Sequence, residues 1–249
     1  MSARTARLLA VVPSRTDPPA RLGEWLRAAG LELDERYVRE RDSLPADLSG
    51  HDGLLVMGGP QASMDGDDVN PELVGVRELL RQAIAADVPT LGVCLGAQLL
   101  AQAGGGRTRT GSEGPEVGAQ LVAKRDAADA DPLFAPLPLS PDVIEWHHDE
   151  ISELPAGATL LASSPVYAHQ AFRVGRSVYA VQFHIETTPD MVRAWAERDA
   201  AGIDSTPFDV ETVCLRAEAA HPDLEEIWAP FAARFADLVR AAAAGRRAA

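Results

Sequence analysis

The segment Pro89-Thr-Leu-Gly-Val-Cys-Leu-Gly-Ala-Gln-Leu-Leu-Ala-Gln-Ala103 constrains the fold of this chain more than any other. Its first residues, Pro89 to Val93, form a short apolar run of strand length, and Leu95 to Ala103 reads as a helix ended by Gly104, Gly105 and Gly106. A strand that passes into a helix through one residue, Cys94, must turn sharply, and Gly92 and Gly96 leave room for that turn. Strands that feed helices in this way build parallel sheets covered by helices.

The same alternation recurs along the chain. Arg7 to Val12 reads as a strand, Pro18 to Ala29 as a helix closed by Gly30, and Leu31 to Val38 as a second strand. Gly53 to Met57 is a buried strand stopped by Gly58, Gly59 and Pro60. Pro71 to Ala86 carries Leu73, Val76, Leu79, Leu80 and Ile84 at helical period, with Pro71 suited to the first turn. From Gly118 to Val181 the texture changes to short strands with turns between them: Gln120 to Lys124, Val143 to Trp146, Thr159 to Ala162, Val166 to Val174 and Ser177 to Gln182. These continue the sheet, partly antiparallel. Past Pro189 the chain is helical again, and Leu224, Ile227, Trp228, Phe231, Phe235 and Leu238 mark one face of a long final helix. Ordinary packing docks that face on the parent domain; the alternative is a homo-oligomer interface. Gly245 to Ala249 reads as a frayed tail. The expectation is an α/β fold of three layers, a mostly parallel central sheet flanked by helices, with a core over about 5–200 and a helical extension over about 201–249, all in one domain.

Charge narrows the partners. Against 23 basic residues the chain carries 37 acidic ones, a net −14 that repels phosphate backbones and anionic lipid, so nucleic acid is not an expected partner. Apolar stretches such as Leu91 to Leu100 are far shorter than the roughly 20 residues a membrane span requires. Met1 to Val12 lacks the pattern of a cleaved leader, which points to a cytoplasmic protein. The two cysteines, Cys94 and Cys214, are too few for a disulfide framework and lack metal-ligand spacing.

Three segments carry chemistry. At the strand-to-helix turn, small neighbours let a substrate approach Cys94. The helix N-terminus there favours thiolate, and its free N–H groups, beginning with that of Leu95, can hold an oxyanion. Taken alone, such a cysteine is equally well a small buried residue packing a strand end. The second segment, Gln182-Phe-His-Ile-Glu186, ends an apolar strand; residues i and i+2 share a face, so Glu186 can orient His184 and stabilise its imidazolium. A merely polar strand end is the bland alternative. The third, Leu54-Leu-Val-Met-Gly-Gly-Pro-Gln61, runs a buried strand into Gly58 and Gly59, where the backbone can approach a ligand and the Gly59 N–H can join that of Leu95. A plain turn would look the same. No phosphate-loop signature is present. Asp149 and Glu150, like Asp65, Asp67 and Asp68, read as solvated loop residues, and Cys214 as a bystander on a polar-faced helix. His51, His169 and His221 have no ligand spacing, so no metal site and no cofactor are expected.

In this order the three segments resemble the class I (triad) glutamine amidotransferase family, especially its stand-alone members similar to the glutaminase domain of GMP synthase. The resemblance covers roughly Leu8 to Trp195 and implies the family's flavodoxin-like fold. It implies Cys94 as nucleophile, His184 as base, Glu186 as its partner, Gly59 and Leu95 as oxyanion hole, and Gln98 at a glutamine-binding position. Glu145-Trp-His-His-Asp149 resembles a Trp-His-Gly-Asp stretch whose backbone borders the substrate's amino-acid end, which implies substrate contacts for His148 and Asp149 alongside Gly58. Three departures stand out: His148 replaces glycine, Ala97 replaces a histidine, and Ile185 replaces the proline between histidine and glutamate. The implied activity is hydrolysis of the glutamine side-chain amide through a γ-glutamyl thioester, with ammonia passing to a separate synthetase. A γ-glutamyl peptidase or hydrolase acting on other γ-glutamyl amides would use the same triad. A cysteine hydrolase or chaperone-like protein sharing only the turn would have no use for His184 and Glu186, and a silent regulatory or binding subunit would have none for the triad.

Overall fold

A computed structural model describes residues 4–40 and 42–248. In chain order its elements are β1 (Ala6–Val12), α1 (Ala20–Ala28), β2 (Leu31–Tyr37), β3 (Gly53–Val56), α2 (Glu72–Ala86), β4 (Thr90–Val93), α3 (Leu95–Ala103), β5 (Arg107–Thr110), β6 (Glu116–Leu121), β7 (Ala123–Lys124), β8 (Asp142–His147), β9 (Asp149–Glu153), β10 (Thr159–Ser163), β11 (Ala171–Val174), β12 (Val178–Val181), α4 (Pro189–Ala196), α5 (Ala200–Asp204) and α6 (Val210–Ala248).

The main sheet has eight strands in the order β2-β1-β3-β4-β12-β11-β10-β7. From β2 to β12 every pairing is parallel, and from β12 to β7 every pairing is antiparallel. Because side chains alternate across a strand, each central strand feeds two cores. Leu8, Ala10, Val12, Leu55, Met57, Leu91, Val93 and Val181 face the layer of α1 and α6. Leu9, Val11, Leu54, Val56 and Ala180 face α2 and α3. These strands are therefore apolar on both faces, as strands covered by helices on both sides must be.

The final helix docks on its own sheet. Trp228, Phe231 and Phe235 are fully buried in the first core, and the Trp228 indole N–H donates to the carbonyl of Asp142 at 2.8 Å. Gly245 to Ala248 continue α6 rather than fray, and Ala249 lies outside the described residues. No described helix is long and apolar enough to cross a membrane.

Where the structure departs from expectation, it does so beyond residue 104. The run read as Gln120 to Lys124 divides into β6, paired with β8, and β7, on the edge of the main sheet. Val166 is exposed and outside the strand, which starts at Ala171. Two strands, β5 and β9, pair with each other unforeseen. Their pairing corrects the solvated-loop reading of Asp149 and Glu150: both begin β9, and Glu150 is only 7% exposed, paired with Arg109 at 2.8 Å. Asp67 and Asp68 are exposed loop residues as read. Cys214 is buried among Val117, Ala196, Ile203 and Val213 rather than on a polar face.

Candidate active site

Four adjacent parallel strands, β1, β3, β4 and β12, deliver their carboxyl ends to one edge of the sheet, where open α/β sheets place their ligands. From β3 come Gly58 and Gly59, from β4 Cys94, and from beyond β12 Gln182, His184 and Glu186. The parallel register pairs Val93 with Val181, and the Cys94 N–H donates to the Val181 carbonyl at 2.9 Å. Residues far apart in sequence thus become neighbours through one ladder.

Cys94 adopts φ +51° and ψ −108°, a strained conformation for a residue with a Cβ. The two glycines make it attainable. A Cβ on Gly92 would lie 2.7 Å from the Gly96 carbonyl oxygen, and one on Gly96 would lie 2.1 Å from that of Val56, so neither position admits a side chain. Beyond the turn, α3 begins at Leu95, whose N–H no intrahelical carbonyl can reach. Gly59 lies against Leu95: its Cβ would fall 3.2 Å from the Leu95 side chain. The two residues expected to hold an oxyanion through their N–H groups are therefore close neighbours.

His184 is fixed at both its backbone and its ring. Its N–H donates to the Ile144 carbonyl at 2.7 Å and its carbonyl accepts from the Ile144 N–H at 3.2 Å. The ring Nδ1–H donates to Glu186 Oε1 at 2.7 Å, and Trp195 packs on the ring with centroids 4.7 Å apart. The other carboxylate oxygen, Oε2, accepts from the Ile185 N–H at 2.9 Å. Proline would have no N–H to give. Isoleucine at this position therefore adds a hydrogen bond to Glu186 instead of loosening it. Burial opposes charge on His184, but Glu186 and Cys94 outweigh burial and hold its pKa well above the usual histidine value.

These groups open on one cavity of about 600 Å³, bordered by Gly59, Cys94, Leu95, Gln98, Trp146, His148, Asp149, His184 and Trp195. Gln98 donates to the Asp149 carbonyl and to Gln182 Oε1, each at 3.3 Å, while Gln182 Nε2 lies 3.7 Å from Cys94 Sγ. His148 pairs through Nε2 with Asp199 Oδ2 at 2.8 Å, and the Trp146 indole donates to the same oxygen at 3.0 Å. The side chain that departs from glycine is thus engaged at the rim. Ala97 is buried in the core between sheet and α3, away from the cavity lining.

The sequence also matches the family model described as glutamine amidotransferase class-I, over residues 24–194. The chain belongs to the class I glutamine amidotransferase family. A glutamine-hydrolysing GMP synthase component from Halobacterium salinarum is 34% identical over 166 residues, covering 62% of this chain and 81% of that protein. Gamma-glutamyl peptidase 4 of Arabidopsis thaliana is 26% identical over 172 residues, 68% of this chain and 65% of that one. In fold, a glutamine amidotransferase from Thermotoga maritima superposes with a TM-score of 0.83 at 24% identity, covering 94% of this chain and 99% of that one.

Beside the expected residues, this amidotransferase-family site contains two features that sequence reading missed. Asp17, from the turn after β1, lines the cavity with Ser14 and Thr16. Behind the 146–149 segment, His147 is buried between Glu116 and Glu145, with Nε2 at 3.2 and 3.3 Å from their carboxylates and Nδ1 donating to the Asp149 carbonyl at 2.9 Å. The ligand atoms of this trio lie within 4.8 Å of one another, and the two carboxylates favour the ring as an imidazolium. Burial opposes that charge; the hydrogen bond to Glu116 and the adjacent Glu145 carboxylate outweigh it and raise the His147 pKa to about 10. Neither feature has a sequence signature, since sheet order alone brings the partners together.

Proposed function

We propose that this chain, over residues 1–249 as one amidotransferase-like domain, is a cysteine-dependent γ-glutamyl amidohydrolase. The observation that carries the reading is the convergence of a strained Cys94 at a helix N-terminus with a His184–Glu186 pair at 2.7 Å on one cavity.

Cys94 Sγ, as thiolate, attacks the amide carbon; the C–S bond forms and the carbonyl electrons move to oxygen, which the N–H groups of Gly59 and Leu95 hold. Collapse breaks the C–N bond as His184 gives its Nε2 proton to the departing nitrogen. Water then loses a proton to His184 while its oxygen adds to the thioester carbon, and C–S cleavage returns the thiolate and glutamate. Glu186 keeps Nδ1 protonated and stabilises the imidazolium. Gln98, His148 and Asp149 border the end of the cavity that takes the amino-acid part of the substrate, whereas Gly58, expected there, lies beside His184, Cys94 and Asp17.

Glutamine is the simplest substrate, with ammonia passing to a separate synthetase; the relative that forms part of a GMP synthase supports this reading. A hydrolase for larger γ-glutamyl amides is the second reading, and the cavity favours it, because 600 Å³ is a volume typical of sites for drug-sized ligands, well beyond what glutamine fills. Purified chain offered glutamine and a panel of γ-glutamyl amides, with glutamate release as readout, tests the proposal. Release from at least one member, abolished in Cys94→Ala, is expected; release that persists in Cys94→Ala contradicts it.

A further inference from the structure

Asp17 is a carboxylate with one oxygen committed and one free. Its Oδ2 accepts from the Thr16 hydroxyl, which Ser14 Oγ meets at 2.7 Å, and the turn is pinned by the Trp195 indole donating to the Thr16 carbonyl at 3.1 Å. Oδ1 has no hydrogen-bond partner among the described residues, although Asp17 is only 8% exposed and lines the cavity. A mostly buried carboxylate on a cavity wall is placed to accept a hydrogen bond from a donor that enters the cavity.

Its position says which part of a ligand. The acyl carbon must sit against Cys94 with its oxygen toward Gly59 and Leu95, so the nitrogen that His184 protonates leaves on the His184 side. Asp17 borders that side. A Cβ on Gly58 would be 3.1 Å from His184 Cε1, 3.6 Å from Cys94 Cβ and 3.6 Å from Asp17 Oδ1, so all three surround one point. Next to them Trp195 and Trp146, with ring centroids 5.8 Å apart, form an aromatic wall that continues from the His184 ring. A carboxylate beside aromatic faces is a setting that selects an ammonium group. Ammonia bound for a second enzyme must stay unprotonated, and a carboxylate at its exit would instead hold it as ammonium.

Resting on the amidohydrolase reading above, we propose that Asp17 and the Trp146–Trp195 wall form a leaving-group subsite, and that the substrate is a γ-glutamyl amide whose amine carries a second, cationic nitrogen, as in a γ-glutamyl diamine. Two exposed arginines, Arg39 and Arg198, also line the cavity and make the opposite charge on the leaving group the competing outcome.

Four probes of the full chain decide it: glutamine and the γ-glutamyl amides of 1,4-diaminobutane, butylamine and 4-aminobutanoate. The diaminobutane amide is expected to exceed the butylamine amide in kcat/KM by about tenfold to a hundredfold, the range of a charge-assisted hydrogen bond. In Asp17→Asn that ratio should fall to near one. Cys94-dependent turnover with no preference for the cationic amide, or a preference for the 4-aminobutanoate amide, overturns the subsite and leaves the triad reading intact. A drop of equal size for all four probes in Asp17→Asn also overturns it, because it would put Asp17 on the substrate's common amino-acid end. No Cys94-dependent turnover of any probe overturns both readings.

Discussion

At the residue scale the account divides labour between His184 and Glu186. His184→Ala removes the proton carrier and should abolish turnover. Glu186→Gln can still accept from Nδ1 but cannot stabilise the imidazolium by charge, so a residual rate is expected, roughly 10⁴-fold below wild type by analogy with triads that lose the acid's charge. Steady-state rates with folding verified by circular dichroism measure this; equal, wild-type-like rates in both variants would place the base elsewhere. His147 makes a separate prediction. Its pKa is raised from 6.5 to about 10, so the stability it contributes is full below about pH 6.5, declines as the unfolded chain releases its proton, and is gone above about 10. The difference in Tm between wild type and His147→Gln should therefore shrink across that window, and a difference independent of pH would show that His147 is neutral. That Cys94, His184 and Glu186 come together was legible in the sequence because each member of the proposed triad sits in a motif a few residues long that ends a strand. Asp17, Gln182 and the Glu116–Glu145–His147 trio were not, because their roles come from neighbours supplied by other strands.

At the element scale, α6 completes a core. Its stripe through Trp228, Phe231 and Phe235 is buried against the sheet, and His221 accepts from the Thr187 hydroxyl at 3.2 Å, one residue beyond Glu186. Trp228→Ala should cost about 3 to 5 kcal/mol by denaturant unfolding, as large-to-small core changes do. Truncation before Pro207 should lower Tm; a truncated chain that melts like the full one and loses only turnover would move the extension from packing into the site. The helices and parallel strands before residue 104 were readable because burial on two faces leaves apolar runs and helical period. The antiparallel part was harder. β5 is Arg107-Thr-Arg-Thr110, largely exposed, with no apolar alternation to announce it, and β9 begins with two acids, of which Glu150 is buried in its pairing with Arg109 on the partner strand.

At the scale of the whole molecule, the size of the cavity relative to glutamine sets an expectation for rate. With ammonia as leaving group, the space around Asp17 stays filled with water, and the binding energy that a larger amine would contribute to the transition state is missing. The isolated chain should therefore hydrolyse glutamine with kcat/KM below about 10⁴ M⁻¹ s⁻¹, the lower end of ordinary enzymes; a glutamine value well above that would show that the cavity closes around the smaller substrate. The central claim remains that one strained thiol at the end of β4 is the nucleophile. The most direct measurement is covalent labelling of the full-length chain with a diazo-ketone analogue of glutamine, followed by intact mass and peptide mapping. One adduct on Cys94, lost in Cys94→Ala and slowed by competing γ-glutamyl amide, is the predicted result; labelling of Cys214 in preference, or no γ-glutamyl-dependent adduct on Cys94, would contradict the account.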